Sequence, residues 1–383
     1  MTTRLTQRQL RELSASVSRR NQLNRRRFLT LTGSAALFSF SAAGISGCGS
    51  DSDKPSRQLD SGTIALGGYP DWLGKGELAA FAKQYPGEEV RQVAIAVDDD
   101  RIAKLATDPS AVDLMLLIES EVQRIVDLGI AAQVDLNSVP NYANIDSEFK
   151  VGYASEKDTR AVATDYGKTG FGYRRDLVDE DLQSWADVWR VASKYSGMIT
   201  FLDFPLHAIG TALLLNGDDV SSTDEQTLEA AADSLIEIKP HLKSFVDTDL
   251  SKGLLDGSAV IAMDWDYDIF LAQQQNQDIQ WVAPEDGVQA YLDVWVPIST
   301  SERLPVAWDF FDFHYQPKTY ANFVNTLGVA SSMTEARQYI DDIIAGSPIL
   351  YPPADVLGRL KYQKALGKAQ EIWNEQWQRV KAA

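Results

Sequence analysis

The sequence predicts a two-lobed α/β protein. From about residue 63 onward, short apolar runs of strand length alternate with segments in which apolar residues recur at helical spacing. This alternation is typical of a mainly parallel sheet with helices on both faces. The chain has 383 residues, 44% of them hydrophobic, which is enough for two lobes rather than one.

The predicted elements follow each other in a regular order. In the first part of the chain, apolar runs predict strands, and periodic segments predict helices. These strands fall at 63–66, 90–96 and 112–117, and the helices at 74–85, after residue 98 and at 120–128. The same pattern returns later, which predicts a second unit. Its strands fall at 197–202 and 258–263, and the later helices at 184–195, 223–238, 319–327, 334–345 and 362–380.

Charge is distributed unevenly along the chain. Eight arginines and one glutamate give residues 1–47 a formal charge of +7, so the remainder carries −25 for a total of −18. The acidic body argues against nucleic acid as a partner, because phosphate binding needs a positive surface. It is compatible with the collection of cations, or with a simple solvated and salt-tolerant surface. The positive N-terminal segment indicates a removable targeting signal.

Two motifs in the N-terminal segment predict export and lipidation. Residues 24–29, Asn-Arg-Arg-Arg-Phe-Leu, resemble the twin-arginine export signal. The apolar run that follows is too short and too polar for a membrane span. It ends in Ile-Ser-Gly and Cys48, which resembles a bacterial lipobox, although a plain signal peptide with an incidental cysteine is the alternative. We therefore predict a twin-arginine-like lipoprotein signal over 1–47, a lipid on Cys48 and a flexible tether over 48–62.

Motifs of common enzymes and metal sites are missing from the sequence. Residues 167–169 end like a P-loop but lack its first glycine, and Asp264, Asp266 and Asp268 lack the glycine and the final glutamate of an EF-hand. There is no G-x-S-x-G elbow, and no two histidines have metal-ligand spacing. The sequence therefore predicts no cofactor, no metal and no catalytic residue, although it leaves open a carboxylate pair acting as acid and base.

An ordered set of motifs across residues 63–383 resembles the bacterial periplasmic spermidine/putrescine-binding protein family. Single matches are weak, and their order carries the resemblance. The most specific stretches are Gly68-Tyr69-Pro70-Asp71-Trp72, Asp165-Tyr166-Gly167, Ser184-Trp185-Ala186-Asp187-Val188-Trp189, and Leu350-Tyr351-Pro352-Pro353 followed by Tyr362-Gln363.

The resemblance implies a periplasmic-binding-protein type II fold, in which two hinge crossings join two α/β lobes that close on a ligand. The crossings would fall near 165–169 and 293–296. The first lobe would hold residues 63–167 plus 294–338, and the second 168–293 plus 339–383. The implied function is that of a monomeric, periplasmic, membrane-anchored protein that delivers a polyamine or related small organic cation to an ABC permease.

The resemblance also implies a set of ligand contacts. A polyamine needs carboxylates for its ammonium groups and aromatic faces for its stem. Asp293 lies in an apolar run, where a carboxylate needs a partner, and is expected to hold an ammonium. The other positions carried over are Tyr69, Asp71, Trp72, Tyr166, Trp265, Tyr291 and Gln363.

The chain departs from the family pattern at several of these positions. The family's second acidic pair aligns with Phe204 and His207, so Asp203 or His207 is expected to contribute in its place. A serine and a tyrosine of the family align with Ile118 and Ser120, and Lys168 lies where it could repel a cation. A shorter, singly charged or anionic ligand is therefore left open.

Three other interpretations remain at this point. The same fold could bind another small solute, or ferric iron through converging tyrosines. The chain could be an exported enzyme. It could also be a lipoprotein that senses a solute for a signalling protein.

Overall fold

The computed structural model describes residues 62–95, 98–150, 159–247 and 250–383. The predicted export signal, Cys48 and all of the predicted tether except its last residue lie outside the described residues.

The described part of the chain forms one curled sheet of eleven strands with helices around it. The strands are β1 Thr63–Gly68, β2 Glu89–Ala94, β3 Leu114–Ile118, β4 Val162–Arg174, β5 Ile199–Leu202, β6 Leu242–Val246, β7 Ile261–Trp265, β8 Ile279–Val282, β9 Val288–Pro297, β10 Ala330–Ser331 and β11 Leu360–Tyr362. The helices are α1 Glu77–Gln84, α2 Asp98–Thr107, α3 Glu119–Asp127, α4 Trp185–Val191, α5 Pro205–Asn216, α6 Glu225–Ile238, α7 Lys252–Asp256, α8 Asp266–Gln275, α9 Leu304–His314, α10 Pro317–Leu327, α11 Asp342–Ala345, α12 Ala354–Leu357 and α13 Ala369–Ala382.

Two long antiparallel strands hold the sheet together at its centre. The strand order is β2-β1-β3-β9-β4-β7-β5-β6, so β9 and β4 stand between the two halves. The first part of β4 pairs with β10 and the last part with β7 and β8. In β9 the first residues pair with β11 and the last with β3. Each of these strands therefore starts in one half of the molecule and ends in the other.

Apolar side chains form two large cores, one on each side of these strands. The first contains Trp295, Phe310 and Phe311, and the second contains Trp185 and Phe201. Residues Ile340, Ile344 and Leu350 pack into the first core, beyond the predicted end of the first lobe. The exact lobe boundaries remain a prediction.

The prediction of a mainly parallel sheet is wrong at the centre of the molecule. The outer pairs β1–β2, β1–β3, β5–β6 and β5–β7 are parallel. The pairs β3–β9, β4–β9 and β4–β7 are antiparallel. One crossing strand leads the chain into the second half and the other leads it back, so the two run in opposite directions.

Two predicted helices are also wrong in part. Residues 334–345 form a 3₁₀ helix, Thr334–Tyr339, and the short α11, because the side chain of Asn325 bonds the backbone of Tyr339 and Asp341 in place of a helical ladder. The segment predicted as a helix from residue 362 begins as β11, and Gly367 follows with a φ of 55°, which glycine adopts readily. The last helix starts only at Ala369.

We predict that Trp295→Ala lowers the free energy of unfolding by about 3–5 kcal/mol, since it opens a cavity in the first core. Trp295 is fully buried and stacks on Phe311, with ring centroids 5.5 Å apart. Urea denaturation of the purified protein measures the change. Leu128→Ala is the control, because Leu128 is 51% exposed and its truncation should change stability by less than about 0.5 kcal/mol. A Trp295→Ala loss as small as that of the control would contradict the expectation.

Candidate ligand-binding site

One face of the β4–β9 pair presents a row of polar and aromatic residues. In a strand, alternate side chains share a face, and directly opposed residues of an antiparallel pair lie side by side on it. The opposed pairs are Asp165 with Asp293, Gly167 with Tyr291, and Thr169 with Gln289. We call this the site face.

Two carboxylates lie at the first of these cross-strand positions. Asp165 is 1% exposed and Asp293 is 3% exposed. The Thr164 hydroxyl donates to Asp165 Oδ1 over 2.7 Å, and the indole Nε1 of Trp72 donates to the same oxygen over 3.3 Å. The carboxylate of Asp165 is therefore oriented by a tryptophan that the sequence predicted as a ligand contact.

Tyr291 lies over the neighbouring glycine of β4. A Cβ atom added at Gly167 would come within 2.1 Å of the Tyr291 hydroxyl oxygen, so only glycine leaves room for this phenol. Burial raises the pKa of Tyr291 well above its usual range, and the phenol is neutral at physiological pH. The nearby groups that raise this pKa further are Asp266, Tyr267, Asp293 and Asp165.

His207 closes the second-lobe end of the row. It stands in the first turn of α5, whose start is favoured by Pro205 at the first helical position. Trp265 Nε1 donates to His207 Nε2 over 3.4 Å, so the ring proton lies on Nδ1, which is 2.9 Å from the Thr169 hydroxyl. Gln289 Nε2 donates to the His207 carbonyl over 2.8 Å and ties α5 to β9. Burial lowers the pKa of His207 to about 4, so the ring is neutral.

Aromatic rings form a continuous wall beside these polar groups. Tyr267 links Trp72, 5.7 Å away and edge-on, to Trp265, 6.1 Å away and nearly parallel. His207 lies 5.6 Å from Trp265 and 6.1 Å from Tyr291 between ring centroids. Ring faces of this kind attract ammonium groups by about 0.5–2 kcal/mol each.

A pocket opens at the edge of β9, between the ends of β3 and β11. The space between its walls is about 330 Å³ when the open solvent at its mouth is included. Its lining includes three predicted ligand residues, His207, Tyr291 and Gln363. It also includes Ile118 and Ser120, the two positions near the end of β3 where the chain departs from the family pattern. The lining residues are Ile118, Glu119, Ser120, His207, Gln289, Ala290, Tyr291, Leu292, Tyr362 and Gln363.

The structure thus brings together Trp72, Trp265, Tyr291, Asp293 and His207, and places Gln363 on the pocket wall with its Nε2 3.4 Å from the Val220 carbonyl. Their contact with a ligand remains a prediction.

Three further predicted residues are Tyr69, which contacts the aromatic wall at Trp72, and Asp71 and Asp203. Tyr69 packs on Trp72 at 5.4 Å and carries the guanidinium of Arg101 over its ring at 4.1 Å. Asp71 is exposed, in a left-handed turn with a φ of 58°. Asp203 forms an ion pair with Lys381 of α13.

Tyr166 and Lys168 lie on the face of β4 opposite to the site face. Tyr166 stacks on Phe149 with centroids 4.6 Å apart. The Lys168 ammonium is fully buried, lies 2.6 Å from Asp266 Oδ2 and donates to the Leu350 carbonyl over 3.0 Å. Its charge is neutralised by Asp266, which explains how a lysine can sit beside this cleft.

Sequence reasoning did not assign Asp165, Tyr267 or Glu119 to the site. Asp165 stands inside one of the motifs that carry the resemblance, and Tyr267 follows Trp265 by two residues, so both had a signal in the sequence. Glu119 lies between the two departing positions Ile118 and Ser120 at the start of α3. Burial raises the pKa of the Glu119 carboxyl.

The chain belongs to the bacterial extracellular solute-binding protein family, whose sequence profile matches residues 78–350. Its relatives include the spermidine/putrescine-binding periplasmic protein of Escherichia coli, which is 24% identical over 84% of this chain and 92% of its own length. The putrescine-binding periplasmic protein PotF of the same organism is 23% identical over 84% of this chain and 91% of its own. The predicted family resemblance is therefore confirmed.

The fold of this chain is also similar to that of solved structures. The TpPotD lipoprotein of Treponema pallidum superposes with a TM-score of 0.74 at 23% identity, over 83% of this chain and 99% of that one. This confirms the predicted α/β, two-lobed type II fold with two hinge crossings. Within the described ranges, no helix has the length and apolar character needed to cross a membrane.

We predict that His207 makes the protein less stable as the pH falls from 6.5 to 4. Its folded pKa lies below that of a histidine in the unfolded chain, so the unfolded state binds more protons within this window. The stability that neutral His207 contributes is present above pH 6.5 and is lost toward pH 4. Urea unfolding of the wild type and His207→Gln at pH 7 and pH 5 should show their difference shrink by roughly 2 kcal/mol at the lower pH. A difference that stays constant with pH would sink this expectation.

Proposed function

We propose that this protein is the solute-binding component of an ABC importer and that it captures a polyamine or a related small organic cation between its lobes. The named relatives bind spermidine and putrescine, and the chain shares their length and fold. The proposed ligand enters the cleft beside the site face, and hinge closure around β4 and β9 then presents the loaded form to a membrane permease.

The site face is the observation that carries this proposal. It sets the buried carboxylates of Asp165 and Asp293 next to the aromatic wall of Trp72, Tyr267 and Trp265. Acids for a positive nitrogen and rings for an aliphatic stem are what a polyamine requires. Because His207 is neutral and Lys168 is paired on the opposite face, neither adds a free positive charge here.

The proposal extends to location and assembly. A lipidated Cys48 would hold the mature chain at a membrane face as a monomer beside its permease, with residues 48–62 as a tether. The relatives are periplasmic binding proteins, which supports export of this chain. Their role in transport also supports a binding function rather than an enzymatic one.

We predict that putrescine and spermidine raise the melting temperature of the purified protein, and that Asp293→Asn removes about half of the rise or more. A ligand at 100 times its Kd stabilises the folded state by about 2.7 kcal/mol. Loss of one charge-assisted hydrogen bond, about 1.5–3 kcal/mol, weakens binding roughly 10–100-fold. Differential scanning fluorimetry gives the shifts.

Asp355→Asn is the matched control, because Asp355 is an exposed carboxylate on α12, away from the site face. It should keep the full shift. If neither polyamine moves the melting temperature of the wild type, the ligand assignment is wrong. An unaltered shift in Asp293→Asn would remove Asp293 from the site.

We predict that Cys48→Ala releases the protein from the membrane fraction of expressing bacteria, because the acylated sulfur is lost. Immunoblots of membrane and soluble fractions, together with labelled palmitate, report the anchor. Wild-type protein that is soluble and unlabelled would show that Cys48 is incidental.

A further inference from the structure

We infer that Asp165 is a second ammonium-binding residue of the proposed site, and that it shares one ammonium of the ligand with Asp293. The inference rests on the proposed function and specifies how the cleft recognises a cation. Neither the family resemblance nor the named relatives assign a role to Asp165.

The register of the hinge strands is the first observation. Asp165 of β4 is directly opposite Asp293 of β9 after an irregularity at Thr164, and their side chains lie on the same face. Opposed side chains of an antiparallel pair have Cβ atoms about 4.5–5.5 Å apart. At that separation a single ammonium can donate hydrogen bonds to both carboxylates.

The partners of Asp165 are the second observation. Trp72 Nε1 and the Thr164 hydroxyl both donate to Oδ1. Trp72 comes from the loop after β1, and its ring belongs to the aromatic wall. The hydrogen bond from Trp72 therefore fixes the Asp165 carboxylate relative to the indole ring that would cover the ligand's stem.

The electrostatic surroundings are the third observation. The register sets the two carboxylates of Asp165 and Asp293 at one cross-strand position, where both can attract the same positive nitrogen. Asp266 and the neutral phenol of Tyr291 lie nearby, and Asp266 is engaged by Lys168. A ligand ammonium placed between Asp165 and Asp293 is attracted by both acids, and a primary ammonium has three donors to distribute between them.

The Asp165–Asp293 pair also supplies acidic groups that the chain lacks at the positions of the family's second acidic pair. Phe204 and His207 occupy the positions of the family's second acidic pair, and Asp203 is engaged by Lys381 of α13. A carboxylate contributed by the hinge strand restores acidic character at a different point of the cleft. The expected ligand then has one ammonium at the hinge and its stem along Trp72, Tyr267 and Trp265.

The test is a double-mutant cycle with putrescine as the probe. Calorimetric titration measures Kd for the wild type, Asp165→Asn, Asp293→Asn and the double variant, with Asp355→Asn as the control. Asparagine keeps the oxygen that accepts from Trp72 and Thr164, so Asp165→Asn removes charge and preserves the hydrogen bonds. Each single change should weaken binding roughly 10–100-fold. The double variant should lose much less than the product of the two losses, because both acids hold the same ammonium.

The outcomes separate the two proposals. An unchanged Kd in Asp165→Asn with a weakened Asp293→Asn overturns the inference and leaves the proposed function standing. If the two losses of affinity multiply in the double variant, the two acids do not hold the same ammonium, and that part of the inference is wrong. A wild-type protein that binds no putrescine overturns the proposed function itself. Melting curves check that each variant is folded, and Asp165→Ser replaces the amide variant if that variant does not fold.

Discussion

The antiparallel pairing of β4 and β9 is the constraint on which the rest of this structure depends. The two strands join the two halves of the sheet, and their ladder satisfies backbone groups that are buried between two cores. Their register also decides which side chains meet. A slip of one residue would turn Asp293 and Tyr291 to the opposite face. The phenol of Tyr291 would then no longer lie over Gly167, which has no side chain to obstruct it. The site is therefore fixed by the same hydrogen bonds that fix the hinge.

The two faces of the β4–β9 strand pair carry different kinds of side chain. On the site face the charged side chains are acids beside rings. On the opposite face, Lys168 forms a fully buried ion pair with Asp266 and donates to the carbonyl of Leu350, which packs in the first core. A buried ion pair contributes little net stability after desolvation, but breaking one partner is costly. We interpret this ion pair as the contact that holds α8 and the first core in place relative to the hinge strands.

Much of this could be predicted from the sequence. The strands β1, β2, β3, β5 and β7 follow from short apolar runs, and the helices of the first half follow from apolar residues at helical spacing. The strands β4 and β9 could not be predicted in this way, since both of their faces are buried and polar residues such as Asp165 and Lys168 interrupt the apolar pattern. Trp72 and Asp293 were found through the family resemblance. Asp165 and Tyr267 were missed because their roles depend on cross-strand register and on ring packing between distant segments.

The charge balance of the site argues for a cation over an anion. The sequence left this open, since Lys168 could repel a cation and Phe204 and His207 replace the family's second acidic pair. Lys168 instead points away from the site face and is paired, and burial lowers the pKa of His207 to about 4, so that its ring is neutral. The acids Asp165 and Asp293 and the neutral phenol of Tyr291 share the site face. An ammonium is attracted by these acids and by the neighbouring ring faces, whereas the acids repel an anion.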